Sequence, residues 1–169
     1  MLRPIVRYPA PGLHAPASPV TTFDSDLDRL IDDMVDTMYA APGIGLAAPQ
    51  VGVPLRVCVI DLSVGRTGGE LHVLVNPEFV SRDGMQLEEE GCLSVPGFNA
   101  TVARPAHVVV RALNRRGEPQ TIEGTGLLAR ALQHELDHLD GSLFLDHLRG
   151  IKRDVITRKI HKLQRAGRW

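Results

Sequence analysis

Cysteine is scarce in this 169-residue chain, with only Cys58 and Cys92 present. One lies in a short apolar run and the other among glycines and acids, so no disulfide framework is expected. Such usage fits a reducing cytoplasm, where the protein is expected to reside. No apolar run approaches the ~18 residues of a membrane span, so no membrane association is expected. The first 22 residues lack acids and a continuous apolar segment, and they do not read as a secretory signal. Internal repeats, low-complexity tracts and a convincing boundary are all missing, so residues 1–169 are read as one domain. With 43% hydrophobic and 23% charged residues, the composition is that of an ordinary globular protein able to bury a core. Net charge is small at −1, but it is unevenly spread. From Arg149 onward there are eight Lys or Arg and one acid, Asp154, which gives +7 there and −8 elsewhere.

What is present is concentrated in Gln133-His134-Glu135-Leu136-Asp137-His138. Residues four apart share a helix face, so His134 and His138 can offer imidazoles to one metal ion. Glu135 can then reach a water held by that metal and act as its base, the logic of H-E-x-x-H hydrolases. Leu127, Leu128, Ala131, Leu132, Leu136 and Leu139 form an apolar band consistent with a helix, and Gly141 marks its stop.

A catalytic site of this type needs a third ligand and an open position. The extended motif with Gly141 fails at Phe144, which cannot bind a metal, and no Glu follows Glu135. Asp, His147 or an upstream residue must supply the ligand. Cys58, within Arg56–Asp61, reads as a small core residue of a strand. Cys92 sits in Glu89-Glu90-Gly91-Cys92-Leu93-Ser94-Val95-Pro96-Gly97, which reads as a shaped loop. A Cys92/His134/His138 set with Glu135 as base is the proposal this supports.

Three separated motifs now stand in order: Gly43-Ile44-Gly45-Leu46-Ala47-Ala48-Pro49-Gln50, Glu90-Gly91-Cys92-Leu93-Ser94, and Gln133–His138. In this respect the chain resembles the peptide deformylases, from the Pro4–Pro9 segment to the C-terminal helix. The resemblance implies a metal-dependent hydrolase that removes the N-formyl group from the formylmethionine of nascent polypeptides and releases formate. It implies Cys92, His134 and His138 as metal ligands and Glu135 as base. The Gln50 amide and the Leu93 backbone N–H become donors to the oxyanion. Ile44, Leu127 and Ala131 become walls of the methionine pocket, with Glu90 near its rim and Gly45 pairing with the substrate backbone. The cofactor implied is one divalent ion, Fe(II) in the cell, for which Zn(II), Ni(II) or Co(II) can substitute. One position departs: many members carry arginine seven residues after the ligand cysteine, and here it is Asn99. That puts contacts beyond methionine in doubt. Two rivals share parts of the pattern, a general zinc endopeptidase and a non-catalytic relative that keeps the fold.

Along the chain, prolines at 4, 9, 11, 16 and 19 predict an extended start over residues 1–22. Asp24 or Ser25 caps an amphipathic helix carrying Leu27, Leu30, Ile31, Met34, Val35 and Met38. Strands are expected at Val57–Ile60, Leu71–Val75, Val108–Leu113 and Gln120–Ile122, with turns at Arg66–Gly69 and Asn114–Gly117. Leu148–Arg165 reads as a helix with Ile151, Val155, Ile156, Ile160 and Leu163 on its apolar side and basic residues on the other. That basic side is either solvated or a docking face for an anionic partner, which the resemblance to the deformylases implies is ribosomal RNA. His14, His72, His107, His147 and His161 have no ligand partner at a recognisable spacing and read as structural or surface residues. The expected fold is α+β: antiparallel β-sheets packed around a central His-Glu-x-x-His helix, with one helix near each terminus.

Overall fold

The computed structural model describes residues 1–169. Asp24 opens helix α1 (Ser25–Ala40) by accepting the Leu27 N–H at 3.1 Å. Asp26 and Asp28 in the first turn face the positive end of the helix dipole. Leu27, Leu30, Ile31, Met34 and Met38 are all buried, as their spacing predicts.

Seven strands follow: β1 (Gly45–Ala47), β2 (Val57–Ile60), β3 (His72–Asp83), β4 (Gln86–Cys92), β5 (Val95–Arg104), β6 (His107–Leu113) and β7 (Pro119–Thr125). All pairings are antiparallel. One sheet has the order β1-β2-β3-β6-β7, and β4 and β5 form a separate two-stranded ribbon. Every residue of β2 is buried, because both faces of the sheet are covered there. Successive side chains of a strand point to opposite faces. Cys58 and Ile60 therefore meet helix α2 (Gly126–Leu139), whereas Val57 and Val59 pack with α1.

Helix α2 lies across β1, β2, β6 and β7, with Leu132, Leu136 and Leu139 in the first core against Leu74, Val108 and Val110. Each such leucine contributes about 1.5–3 kcal/mol of burial. Past the helix end, Gly141 has φ 82°, and its α-carbon lies so close to the His14 backbone that a side chain would collide with it. Glycine is required there on both counts. A third core joins Val95 and Val102 of β5 to Phe144, Leu145 and Leu148, and to Ile156 and Ile160 of helix α3 (Ile151–Arg165). The architecture is the α+β arrangement expected from the sequence.

Several local expectations are corrected. The segment around Cys92 is not a loop: Cys92 is the last residue of β4, and Leu93-Ser94 make the turn into β5. Exposed Glu88 and Glu89 hid this strand, since glutamate has a low strand preference and a two-stranded ribbon buries little. Strand β3 runs on to Asp83 instead of stopping at Val75, because bulges near Asn76–Glu78 and at Val80 carry it past Pro77. The extended N-terminal segment is interrupted by a 3₁₀ turn at Pro11–His14. Helix α3 begins at Ile151, after Leu148 has entered the core. Ile151 and Val155 are exposed rather than packed with Ile156 and Ile160.

Candidate metal centre

The three candidate ligands come from two elements. One turn of α2 separates His134 from His138, whose Nε2 atoms lie 3.1 Å apart. The end of β4 brings Cys92 Sγ to 3.3 Å from His138 Nε2. All three donor atoms lie within 4.8 Å of one another. Metal–ligand bonds of about 2.0–2.3 Å place neighbouring tetrahedral ligands roughly 3.3–3.7 Å apart, so this triangle is of the right size for one ion. A thiolate with two imidazoles also suits a borderline-soft divalent metal. The residues fit such an ion.

Behind the ligands is a buried ionic network. Glu90 Oε2 accepts from His134 Nδ1 at 2.6 Å, while Arg104 donates to both Glu90 oxygens at 2.7 and 2.6 Å. Arg130 adds a contact of 2.8 Å to Glu90. Burial alone would raise the Glu90 pKa, but the bonds from Arg104 and His134 outweigh it and hold the carboxyl well below its ordinary range. An ionised Glu90 can only accept, so His134 carries its proton on Nδ1 and leaves the Nε2 lone pair free for a metal. Arg104 continues to Asp137 at 2.9 Å, and Asp137 accepts from His147 Nε2 at 2.8 Å. Arg104, Arg130, Asp137 and Ser94 were not singled out in the sequence. The one signal was Arg130, a charge four residues before His134 on a helix otherwise rich in apolar residues.

Glu135 is different from Glu90. Burial pushes its pKa up to about 7, and its Oε2 has no hydrogen-bond partner. A buried, unpaired carboxylate poised near neutrality is suited to take and return a proton. It packs directly against Gly45, where any Cβ would run into the carboxylate. Gln50 is held equally firmly. Its Oε1 accepts the Ala47 N–H at 2.9 Å, which turns the amide Nε2 toward Ser94 Oγ at 3.1 Å and Cys92 Sγ at 3.6 Å.

These groups border one cleft of about 850 Å³. Ile44, Gly45, Gln50, Glu90, Cys92, Leu93, Leu127, Ala131, His134 and Glu135 all line it, and His138 is buried behind. Leu127 is 53% exposed, so it belongs to the cleft wall and not to the core band. Glu90 borders the cleft but turns its carboxylate inward to His134. Asn99 pairs with Gly91 across the β4–β5 ribbon. His147 is structural, bonded to Asp137, and His107 bridges Asp83 and Glu123 at the surface.

A buried, unpaired carboxylate beside a thiol–imidazole triangle, on a helix crossing an antiparallel sheet, is the arrangement of a metal-dependent hydrolase. The family model for polypeptide deformylase matches residues 2–154. A peptide deformylase of Acidobacterium capsulatum is 53% identical over 169 residues, covering 100% of this chain and 99% of the relative. The crystal structure of a peptide deformylase from Legionella pneumophila is 51% identical, with TM-score 0.93, over 99% of this chain and 98% of that one. A Plasmodium falciparum peptide deformylase structure at 35% identity still gives TM-score 0.90, over 96% and 95%. The chain belongs to the polypeptide deformylase family.

Proposed function

We propose that Cys92, His134 and His138 hold one divalent metal ion, and that Glu135 is the general base and acid in removing the formyl group from N-terminal formylmethionine. The observation that carries this is the convergence of Sγ and two Nε2 atoms beside the unpaired Glu135 carboxylate. When bound, the ion supplies Lewis acidity toward water and the formyl oxygen. Fe(II) is the ion proposed for the cell, with Zn(II), Ni(II) or Co(II) as substitutes, since a thiolate–imidazole set accepts each.

The chain's own residues do the rest. Glu135 takes a proton from water as the hydroxyl adds to the formyl carbon. The Gln50 amide, fixed by Ala47 and Ser94, and the Leu93 N–H donate to the oxygen that gains negative charge. The carbon–nitrogen bond then breaks, Glu135 returns its proton to the leaving amine, and formate departs. Ile44, Leu127 and Ala131 receive the methionine side chain, and β1 at Gly45 offers its backbone to the peptide as an added strand.

Formate release from formyl-Met-Ala-Ser, by protein loaded anaerobically with Fe(II) and separately with Zn(II), tests this reading. Turnover with one ion per chain is expected; no release with any metal bound at that stoichiometry contradicts it.

For α3 we propose docking on ribosomal RNA, close to where substrates emerge. Lys152, Arg158, Lys159, Lys162 and Arg165 are exposed beside Ile151 and Val155. Deleting residues 150–169 would also remove Ile156 and Ile160 from the third core. Reversing Lys152, Arg158, Lys159 and Lys162 to glutamate is therefore the cleaner test. Salt-sensitive co-sedimentation with ribosomes should be lost, and unchanged co-sedimentation contradicts docking.

A further inference from the structure

We propose that Arg7 is a specificity-determining residue, selecting substrates with an aspartate or glutamate one or two positions after the formylmethionine. This rests on the deformylase reading above.

The N-terminal segment runs extended beside the site: Val6 N–H donates to Gln50 O at 2.7 Å and Tyr8 N–H to Ser94 O at 2.9 Å. With those two residues tied to the body, the alternate positions Arg3, Ile5 and Arg7 all face the cleft. The segment forms a wall of its own. With the methionine side chain placed on the α2 side as proposed above, the residues that follow it are left the part of the cleft lined by this wall and by Leu93, Pro96 and Gly97.

Most cations on the cleft are paired, and the one unpaired carboxylate on its exposed lining is Glu89 of β4. Arg3 is paired with Asp33 at 2.9 Å and Arg130 with Glu90 at 2.8 Å. The lining residues from the β4–β5 ribbon include no cation, and those from Ala40 to Gln50 carry no charge. Arg7 alone is a cation without a carboxylate partner. It is also held in place, since its guanidinium sits 5.8 Å from the Trp169 ring centroid. Trp169 in turn packs against Phe98 of β5, with ring centroids 6.0 Å apart, and bonds through Nε1 to the Tyr8 carbonyl. A guanidinium positioned this way, and still open to the cleft, matches a carboxylate in bidentate geometry.

The test measures kcat/KM for the metal-loaded protein on formyl-Met-Xaa-Ser and formyl-Met-Ala-Xaa, with Xaa Asp, Asn or Lys. Wild type should prefer Asp over Asn about two- to fivefold at one of the two positions, the range of an exposed ion pair, chiefly through KM. The preference should vanish in Arg7→Ala, persist in part in Arg7→Lys, and shift to Lys in Arg7→Glu. High salt should reduce it. An Asp-to-Asn ratio near one in wild type, or one unchanged by Arg7→Ala, overturns the proposal. So does an Arg7→Ala effect equal for all side chains, which would mark a purely structural role. Wild-type turnover of formyl-Met-Ala-Ser separately reports whether the deformylase reading itself stands.

Discussion

Two buried glutamates, Glu90 on β4 and Glu135 on α2, differ in their readiness to ionise because their surroundings differ. Glu90 meets two arginines and His134 and stays ionised, whereas Glu135 meets Gly45 and no donor at Oε2. A carboxyl whose folded pKa is raised from 4.5 to about 7 binds its proton more tightly when folded. Its contribution to stability therefore falls as pH rises through that window, by about 3 kcal/mol in total. In metal-free protein, Glu135→Gln should gain stability relative to wild type between pH 4.5 and 7, and the gain should level off above. Urea denaturation across pH would show it, and a difference flat with pH would contradict the assignment. Gly45→Ala makes a companion test. Its methyl group must displace the Glu135 carboxylate, so kcat should fall at least tenfold while bound metal stays at one ion per chain.

At the scale of elements, α2 joins the core to the chemistry. Its buried side chains hold the sheet, and Leu132→Ala should cost about 2–5 kcal/mol by urea denaturation. The ribbon β4–β5 supplies Cys92 and clamps Glu90 through Arg104. Replacing Arg104 with methionine leaves Glu90 and Asp137 each short of a partner in a buried site, a loss of about 3–5 kcal/mol. Metal affinity should drop with it, since Glu90 orients His134. This element was the hardest to read from sequence. The apolar periodicity of α1 and α2 and the β-branched run of β2 announced themselves. The ribbon did not, because its outward glutamates and glycines look like a loop when its partner strand is unknown. Cys92 stood out as a candidate ligand all the same, through the scarcity of cysteine and the motif around it.

Across the whole molecule, the cleft is assembled from pieces far apart in sequence: the N-terminal segment, β1, the ribbon and α2. Motifs pointed to the groups proposed to touch the reacting atoms, since such chemistry restricts which residues serve. The supporting shell of Arg104, Arg130, Asp137 and His147 was not legible, because any charge can occupy a buried network once its partner is placed. The basic face of α3 was visible as a charge asymmetry, but only the structure shows that Ile151 and Val155 remain uncovered beside it. In the proposed mechanism Glu135 moves the proton while Cys92, His134 and His138 hold the metal. The most direct measurement is formate release by Glu135→Gln protein assayed for metal content in the same sample. One ion per chain with turnover down by about 10²–10⁴-fold is the predicted result. Turnover near that of wild type with the metal retained would contradict it.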